Sequence, residues 1–247
     1  MVSKEAVLLG WHDDVAVITL NRPDRRNAVN LDMLESMVKM QSEISERKAR
    51  ALVLTGAPPA FCAGADLSGV REEVFHDALS SVLVGFTSLP CVVIAAVDGA
   101  ALGAGAQLMA VCDVRVATAG SIVGIPAAKL GLVVHHWTIE RLVREFSPPV
   151  ARNMLLTAST YTAEQLHGVG AVHRLGNFDS ALQWAKEISQ LAPLTISGHK
   201  VALEHINELR DVDDIVGQLR NIAMASDDAR EGREAFLAKR PPRFTGA

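Results

Sequence analysis

Apolar and polar residues alternate along 7–11 and 15–20, on either side of the polar triplet His12-Asp13-Asp14, and this spacing predicts an opening β-hairpin. The mainly apolar stretch 51–56 and the β-branched run 92–97 read as buried strands, and 114–117 reads as another. Between them the period becomes helical. Asn30 is placed to cap a helix running to about residue 48, with Met33, Met37, Met40 and Ile44 along one face as core. A second helix, 74–89, stops at Pro90. Another, 138–146, ends before Pro148-Pro149, and a further one begins at 151. Thr162-Ala163-Glu164-Gln165 opens a helical turn closed by Gly168 and Gly170, and 171–175 predicts a last strand. From 178 onward the pattern is helical, punctuated by Pro193. Strand–helix alternation followed by an all-helical end predicts an α/β core over 1–193 and a helical C-terminal region over 194–247.

Two turns interrupt this pattern in the same way. The strand 92–97 stops at Asp98-Gly99 and runs into the small-residue string 100–106, where Gly103 and Gly105 permit a tight turn and close approach. The strand 51–56 runs into Ala57-Pro58-Pro59-Ala60-Phe61-Cys62-Ala63-Gly64-Ala65-Asp66-Leu67, a second such turn. A strand, a glycine-rich turn and a helix start leave backbone N–H groups pointing outward. Two such turns suit a carbonyl oxygen that gains negative charge, because the donors are fixed in advance. Tight strand–helix packing would also explain the glycines.

The strings FCAGADL and AVDGAALGAGAQL together resemble the enoyl-CoA hydratase (crotonase) superfamily, as do NRPDRRNAV near the start and FLAKRPPRF at the end, so that the likeness spans roughly 6–247. The resemblance implies a spiral of repeated ββα units, although periodicity alone would also allow a doubly wound sheet. It implies an oxyanion hole formed by the N–H groups of Ala65 and Ala104, the second in Ala101-Leu102-Gly103-Ala104-Gly105. It places coenzyme A along Arg25, Ala28, Ala63, Gly64, Ala65, Asp66, Leu67 and Ala104. Lys239 is matched to a basic residue that reaches a neighbouring subunit's coenzyme A. The C-terminal region is then a trimerisation region, in homotrimers that can pair into hexamers. Arginine beside a phosphate-rich ligand is physically apt, since its guanidinium binds phosphate through two hydrogen bonds.

Against this background the acid/base positions depart from the family. Hydratases use two glutamates, and the matching positions here are Gln107 and Ala127, the latter after Gly124-Ile125-Pro126. Glutamine orients water but does not take up its proton near neutral pH, and alanine does neither. Each general acid–base group contributes on the order of 10²–10⁴ in rate, so efficient hydration is not expected. Where the family has a glycine-rich string, this chain has Val134-His135-His136-Trp137. His135 or His136 is a candidate substitute acid/base, since histidine titrates near physiological pH. Alternatively these residues fill space, one ring stacked on Trp137 and the other capping a helix. Glu72, Glu73 and Asp77 are further candidate bases, although acidic residues at a helix start commonly serve its dipole.

Composition narrows the classes. The 247 residues are 49% hydrophobic with a formal charge of −4, which suits one large α/β unit and argues against nucleic acid or an anionic membrane as partner. Cys62, Cys91 and Cys112 lie in apolar contexts without metal spacing and read as reduced core thiols of a cytoplasmic protein. No leader pattern opens the chain, no apolar run suits a membrane span, and no metal or separate cofactor is expected. Three readings follow: a crotonase-type hydratase, a crotonase-type enzyme such as an isomerase with relocated acid/base residues, and a non-catalytic acyl-CoA-binding protein of lipid metabolism. The missing glutamates favour the third.

Overall fold

A computed structural model describes residues 5–66, 72–206 and 212–247. The strands are β1 (Val7–His12), β2 (Val15–Leu20), β3 (Ala51–Gly56), β4 (Val92–Val97), β5 (Ala100–Leu102), β6 (Val114–Ala117), β7 (Ile122–Gly124), β8 (Thr160–Thr162) and β9 (Arg174–Leu175). The helices are α1 (Leu31–Glu46), α2 (Glu72–Ser88), α3 (Ala104–Ala110), α4 (His136–Phe146), α5 (Pro148–Thr157), α6 (Ala163–Gly168), α7 (Phe178–Ile188), α8 (Pro193–Glu204), α9 (Val212–Ala225) and α10 (Asp227–Leu237). Short 3-10 turns occupy Pro23–Arg25 and Pro126–Leu130.

Six strands form one sheet in the order β1-β2-β3-β4-β6-β9, antiparallel only in the opening hairpin. Successive residues of a strand face opposite sides, and both sides here are covered. Ile18, Leu52, Leu54, Val93 and Ala95 enter the larger core with Met33, Met37, Phe86 and Leu108 of the helices. Their neighbours Val17, Val53, Ile94 and Ala96 enter a smaller core against Ala181 and Ala185 of α7. That is why β3 and β4 read as mainly apolar runs. Each deletion of a buried Leu or Ile side chain from such a core costs about 2–5 kcal/mol.

The chain then repeats one move. From β4 it turns at Gly99, adds β5 to a second sheet and enters α3; from β6 it adds β7 and enters the turn at Pro126–Leu130. Gly99 has φ 72, and a Cβ there would lie 2.5 Å from the Pro59 carbonyl oxygen, so the turn admits only glycine comfortably. The second sheet runs β5-β7-β8, and an isolated bridge from Cys62 to Ala101 extends the repeat to the segment after β3. These are the expected ββα units of the crotonase-type α/β spiral.

Several boundaries differ from expectation. The three strands of the second sheet are too short to carry a periodic signal, and none was predicted. Helix α3 starts at Ala104, inside the small-residue string 100–106, so residues that look like loop are its first turn. Helix α4 starts at His136 rather than 138. The last strand is only Arg174–Leu175, because the N–H groups of Ala171 and Val172 are held by the Leu166 carbonyl at the end of α6. Asn30 does cap α1, accepting from the Met33 N–H at 3.2 Å, and Thr162 with Gln165 forms a reciprocal capping box. Helices continue to Leu237, after which the chain is irregular and is held by Asp228 through the N–H groups of Thr245 and Gly246.

Candidate functional site

The two glycine-rich turns are laced together. The Cys62 N–H donates to the Ala100 carbonyl and the Leu102 N–H to the Cys62 carbonyl, both at 2.9 Å. A Cβ on Gly105 would collide with the Cys62 carbonyl oxygen, and one on Gly103 would sit 3.7 Å from the Gly64 Cα. Both Gly64 (φ 129) and Gly103 (φ 54) occupy backbone conformations that favour glycine. On the far side the Val29 N–H donates to the Gly64 carbonyl and the Asp66 N–H to the Val29 carbonyl. Ala65 lies between these anchored residues, and Ala104 opens α3. Among the described residues, no acceptor is bonded to the N–H of either alanine. Unspent main-chain donors at adjoining turns can receive an oxygen that gains negative charge without reorganising when it does.

The loop 21–28 is tied to the same turns. Buried Asn27 donates through Nδ2 to the carbonyls of Ala57 (2.7 Å) and Ala60 (2.6 Å) and accepts from the Arg22 N–H (2.9 Å). Arg22 pairs with Asp66 at 2.9 Å and donates to the Ala28 carbonyl at 2.7 Å. Asp66 is thus bound up in supporting the turn. The Ala63 N–H donates to the Arg26 carbonyl, while Arg25 is exposed and has no ion pair among the described residues. Ala28 is thus bridged to Asp66 through Arg22, Gly64 adjoins the turn before Ala104, and Arg25 touches this arrangement only through its carbonyl, which accepts from the Ala28 N–H. Leu67, also expected here, lies outside the described residues.

One helical turn past Ala104, the Gln107 Oε1 accepts from the Thr138 hydroxyl at 3.1 Å. A small cavity of about 50 Å³ adjoins the pair, lined among others by His76, Leu79, Leu83, Val134, His135 and Trp137. The His135 ring meets the His76 ring edge to face at 5.1 Å, and no ring stacking of His135 or His136 on Trp137 occurs among the described residues. His135 stands at the N-cap of α4 without a side-chain capping bond, so the expected capping histidine is corrected too. His136 is 83% exposed and lies 3.7 Å from Glu140 instead of facing the cavity. Sequence reasoning missed His76 and Thr138. His76 lay in an ordinary helical pattern, and Thr138 has no motif around it.

Ala127 lies in the 3-10 turn before Gly131, partly buried against the core, and Lys239 is exposed. Glu73 and Asp77 on α2 are exposed, and the side chain of Glu72 lies outside the described residues. Burial pushes the Cys62 thiol, hydrogen-bonded to the Gly64 carbonyl at 3.5 Å, up to about 11, which keeps it protonated and unreactive beside the turn. Among the described residues no group of three or more His, Cys, Asp or Glu is placed to hold a metal ion. Nor is any described helix long and apolar enough to cross a membrane.

Both the spiral fold and the paired turns define a crotonase-type protein, and the comparisons with known proteins agree. The family model described as enoyl-CoA hydratase/isomerase matches residues 11–247, and the chain belongs to that family. A protein of Mycobacterium tuberculosis (strain CDC 1551 / Oshkosh) named probable enoyl-CoA hydratase echA6 is 38% identical over 234 residues, covering 94% of this chain and 96% of its own. The 2,3-dehydroadipyl-CoA hydratase of Escherichia coli (strain K12) is 32% identical over 243 residues, covering 94% and 95%. Among solved structures, an enoyl-CoA hydratase/carnithine racemase from Magnetospirillum magneticum superposes with a TM-score of 0.90 at 28% identity, covering 99% of this chain and 97% of that one. The enoyl-CoA hydratase EchA1 from Mycobacterium marinum gives 0.86 at 31% identity, covering 99% and 100%.

Proposed function

We propose that this member of the family binds fatty acyl-CoA thioesters in lipid metabolism and is not an efficient hydratase. The thioester carbonyl oxygen is received by the N–H groups of Ala65 and Ala104, which need no side chain to act. Arg25, free of ion pairs among the described residues, serves the phosphates of coenzyme A beside Ala28, Ala63 and Gly64. Leu67 belongs to the same proposed ligand path, and Lys239 reaches the coenzyme A of a neighbouring subunit. Coenzyme A arrives as part of the ligand, with no separate cofactor.

The observation that carries this reading is the pairing of Gln107 with Thr138. The side chain standing where a hydratase has its first glutamate is a neutral amide whose oxygen is already bonded. Ala127, at the second position, has no proton-transfer group at all. Calorimetry with a saturated acyl-CoA and with free coenzyme A tests the binding. Acyl-CoA is expected to bind more tightly, by about 0.8 kcal/mol per buried CH₂, and equal affinity overturns the reading. Turnover of crotonyl-CoA is expected to be undetectable, and an ordinary enzyme rate of ~1–10³ s⁻¹ overturns it as well. The double variant Gln107→Glu, Ala127→Glu is expected to gain hydration.

One observation supports a second reading, an enzyme with relocated acid/base groups. The His76–His135 pair borders the cavity beside Gln107. Exchange of the α-proton of a saturated acyl-CoA in deuterated water, lost in His76→Ala, His135→Ala, would promote it. Absence of exchange in the parent removes it.

The assembly is proposed as a homotrimer, with pairing to a hexamer as its extension. Exposed apolar side chains on the C-terminal helices support it: Ile215 (53%), Ile222 (55%), Met224 (59%) and Leu237 (80%). Sedimentation velocity reads the mass, and a monomer at micromolar concentration refutes it. A cytoplasmic location fits three reduced thiols.

A further inference from the structure

We infer that Thr138 sets the direction of the Gln107 amide so that its N–H donates to an oxygen on C3 of the bound acyl chain, which makes 3-oxoacyl thioesters the preferred ligands. The inference rests on the proposed acyl-thioester site and names its ligand class. Thr138 is only 4% exposed, in the first turn of α4. A buried hydroxyl must place its proton on an acceptor, and Gln107 Oε1 at 3.1 Å is the acceptor it has among the described residues. With its oxygen so engaged, the Gln107 amide turns its two N–H donors away from Thr138. No described residue accepts from that amide nitrogen: the adjoining cavity wall is apolar at Leu79, Leu83 and Val134, and its possible acceptors, Ser80, His76 and His135, are not bonded to it.

Gln107 lies three residues beyond Ala104 on α3, and residues so spaced share one face of a helix. Helical side chains tilt toward the N-terminus, so in the inferred pose a thioester whose carbonyl oxygen is held by the Ala104 N–H has its next carbons, C2 and C3, beside the Gln107 side chain. A glutamate there would offer an acceptor; this amide offers donors. A ketone oxygen accepts hydrogen bonds and has no proton of its own to place. A 3-hydroxyl accepts as well but must also place its own proton, on the second lone pair of Gln107 Oε1 or on Ser80, His76 or His135 of the cavity wall, an ordering that a ketone does not need. A saturated chain that displaces water from the partly exposed Gln107 amide gives its donors no oxygen in exchange, which costs affinity. Thr138 is a positioning residue, because it acts through Gln107.

Calorimetry on the full chain at pH 7 compares acetoacetyl-CoA with butyryl-CoA and 3-hydroxybutyryl-CoA, and repeats the set with ten-carbon chains. The 3-oxo ligand is expected to bind about threefold to tenfold more tightly than the saturated one, as one net hydrogen bond allows, with the 3-hydroxy ligand between them. In Thr138→Val that ratio should fall to near one, while Thr138→Ser should keep it; loss of packing alone would weaken all three ligands alike. Gln107→Met removes the donor without touching α4 and should also bring the ratio to one, so the test stands even if Thr138→Val does not fold. Equal affinities in the parent protein, or a ratio unchanged in both Thr138→Val and Gln107→Met, overturn the inference and leave acyl-CoA binding intact. Failure of every acyl-CoA to bind better than free coenzyme A overturns both.

Discussion

The Lys200 ammonium lies 2.8 Å from Oδ2 of Asp113, joining α8 to the start of β6 across 87 residues of sequence. Lys200 is only 6% exposed and also donates to the carbonyls of Phe86 (3.3 Å) and Cys91 (3.1 Å). The same Asp113 oxygen accepts from the Val93 N–H at 2.7 Å. Burial pushes the Asp113 carboxyl above the usual carboxylate range, and Lys200 with its hydrogen bond opposes that push. The pair thus fastens the first C-terminal helix to the sheet that carries the site.

Removing the cation alone leaves a buried carboxylate without its partner. Lys200→Met is expected to destabilise the fold by about 3–5 kcal/mol, read from the urea midpoint at constant slope. Adding Asp113→Asn, which keeps an acceptor for Val93, should recover part of that loss. A Lys200→Met protein as stable as the parent would show that the pair contributes nothing.

Gly105 tests the contact between the two turns. Its missing side chain is where the Cys62 carbonyl sits, and that neighbour is backbone, so it yields little. Gly105→Ala should cost about 1–3 kcal/mol and weaken acyl-CoA binding more than it weakens free coenzyme A binding. Equal weakening of both ligands would mean that the carbonyl-binding turn is unaffected.

Acid should destabilise the protein in two steps. His173 is held below its ordinary 6.5 by burial and by the nearby Arg115 guanidinium, and its Nδ1 lies 3.2 Å from the Arg115 N–H. Between its folded value and 6.5 the unfolded chain binds the extra proton, so this contribution is complete above 6.5 and lost as the pH falls below it. Burial works to raise Glu204, but hydrogen bonds from Arg141 and Arg144 win and hold it below 4.5. Its contribution is complete above 4.5 and lost as the pH falls through that lowered value. Melting temperature against pH should show both losses, and His173→Gln should flatten the first. A flat profile between pH 7 and 5 in the parent would refute the histidine's part.

The thiols should be silent in the folded protein. Cys62, Cys91 and Cys112 are all buried, and burial raises them to about 11, 11 and 12. A thiol-exchange reagent at pH 8 should find almost no reactive group in the native protein and three after denaturation. Rapid reaction of Cys62 would mean that the turn beside Gly64 opens readily.

Local chemistry made much of this protein legible in its sequence. Mainly apolar runs gave β3 and β4 because those strands are covered on both faces, and Asn30 and Thr162 marked helix starts because each satisfies an N–H of its own first turn. The two glycine-rich turns stood out because only glycine tolerates both the positive φ of Gly64 and Gly103 and the close approach at Gly105. Distance along the chain hid the rest. The second sheet forms from three-residue strands that pair only once the spiral has closed. Three arginines in the loop 21–28 look alike, and the fold alone selects Arg22 for Asp66, 44 residues away. The meeting of His76 with His135, and of Gln107 with Thr138, likewise depends on α2, α3 and α4 converging. Periodicity reports which face of an element is buried; which side chains then face one another across the core is decided by tertiary packing.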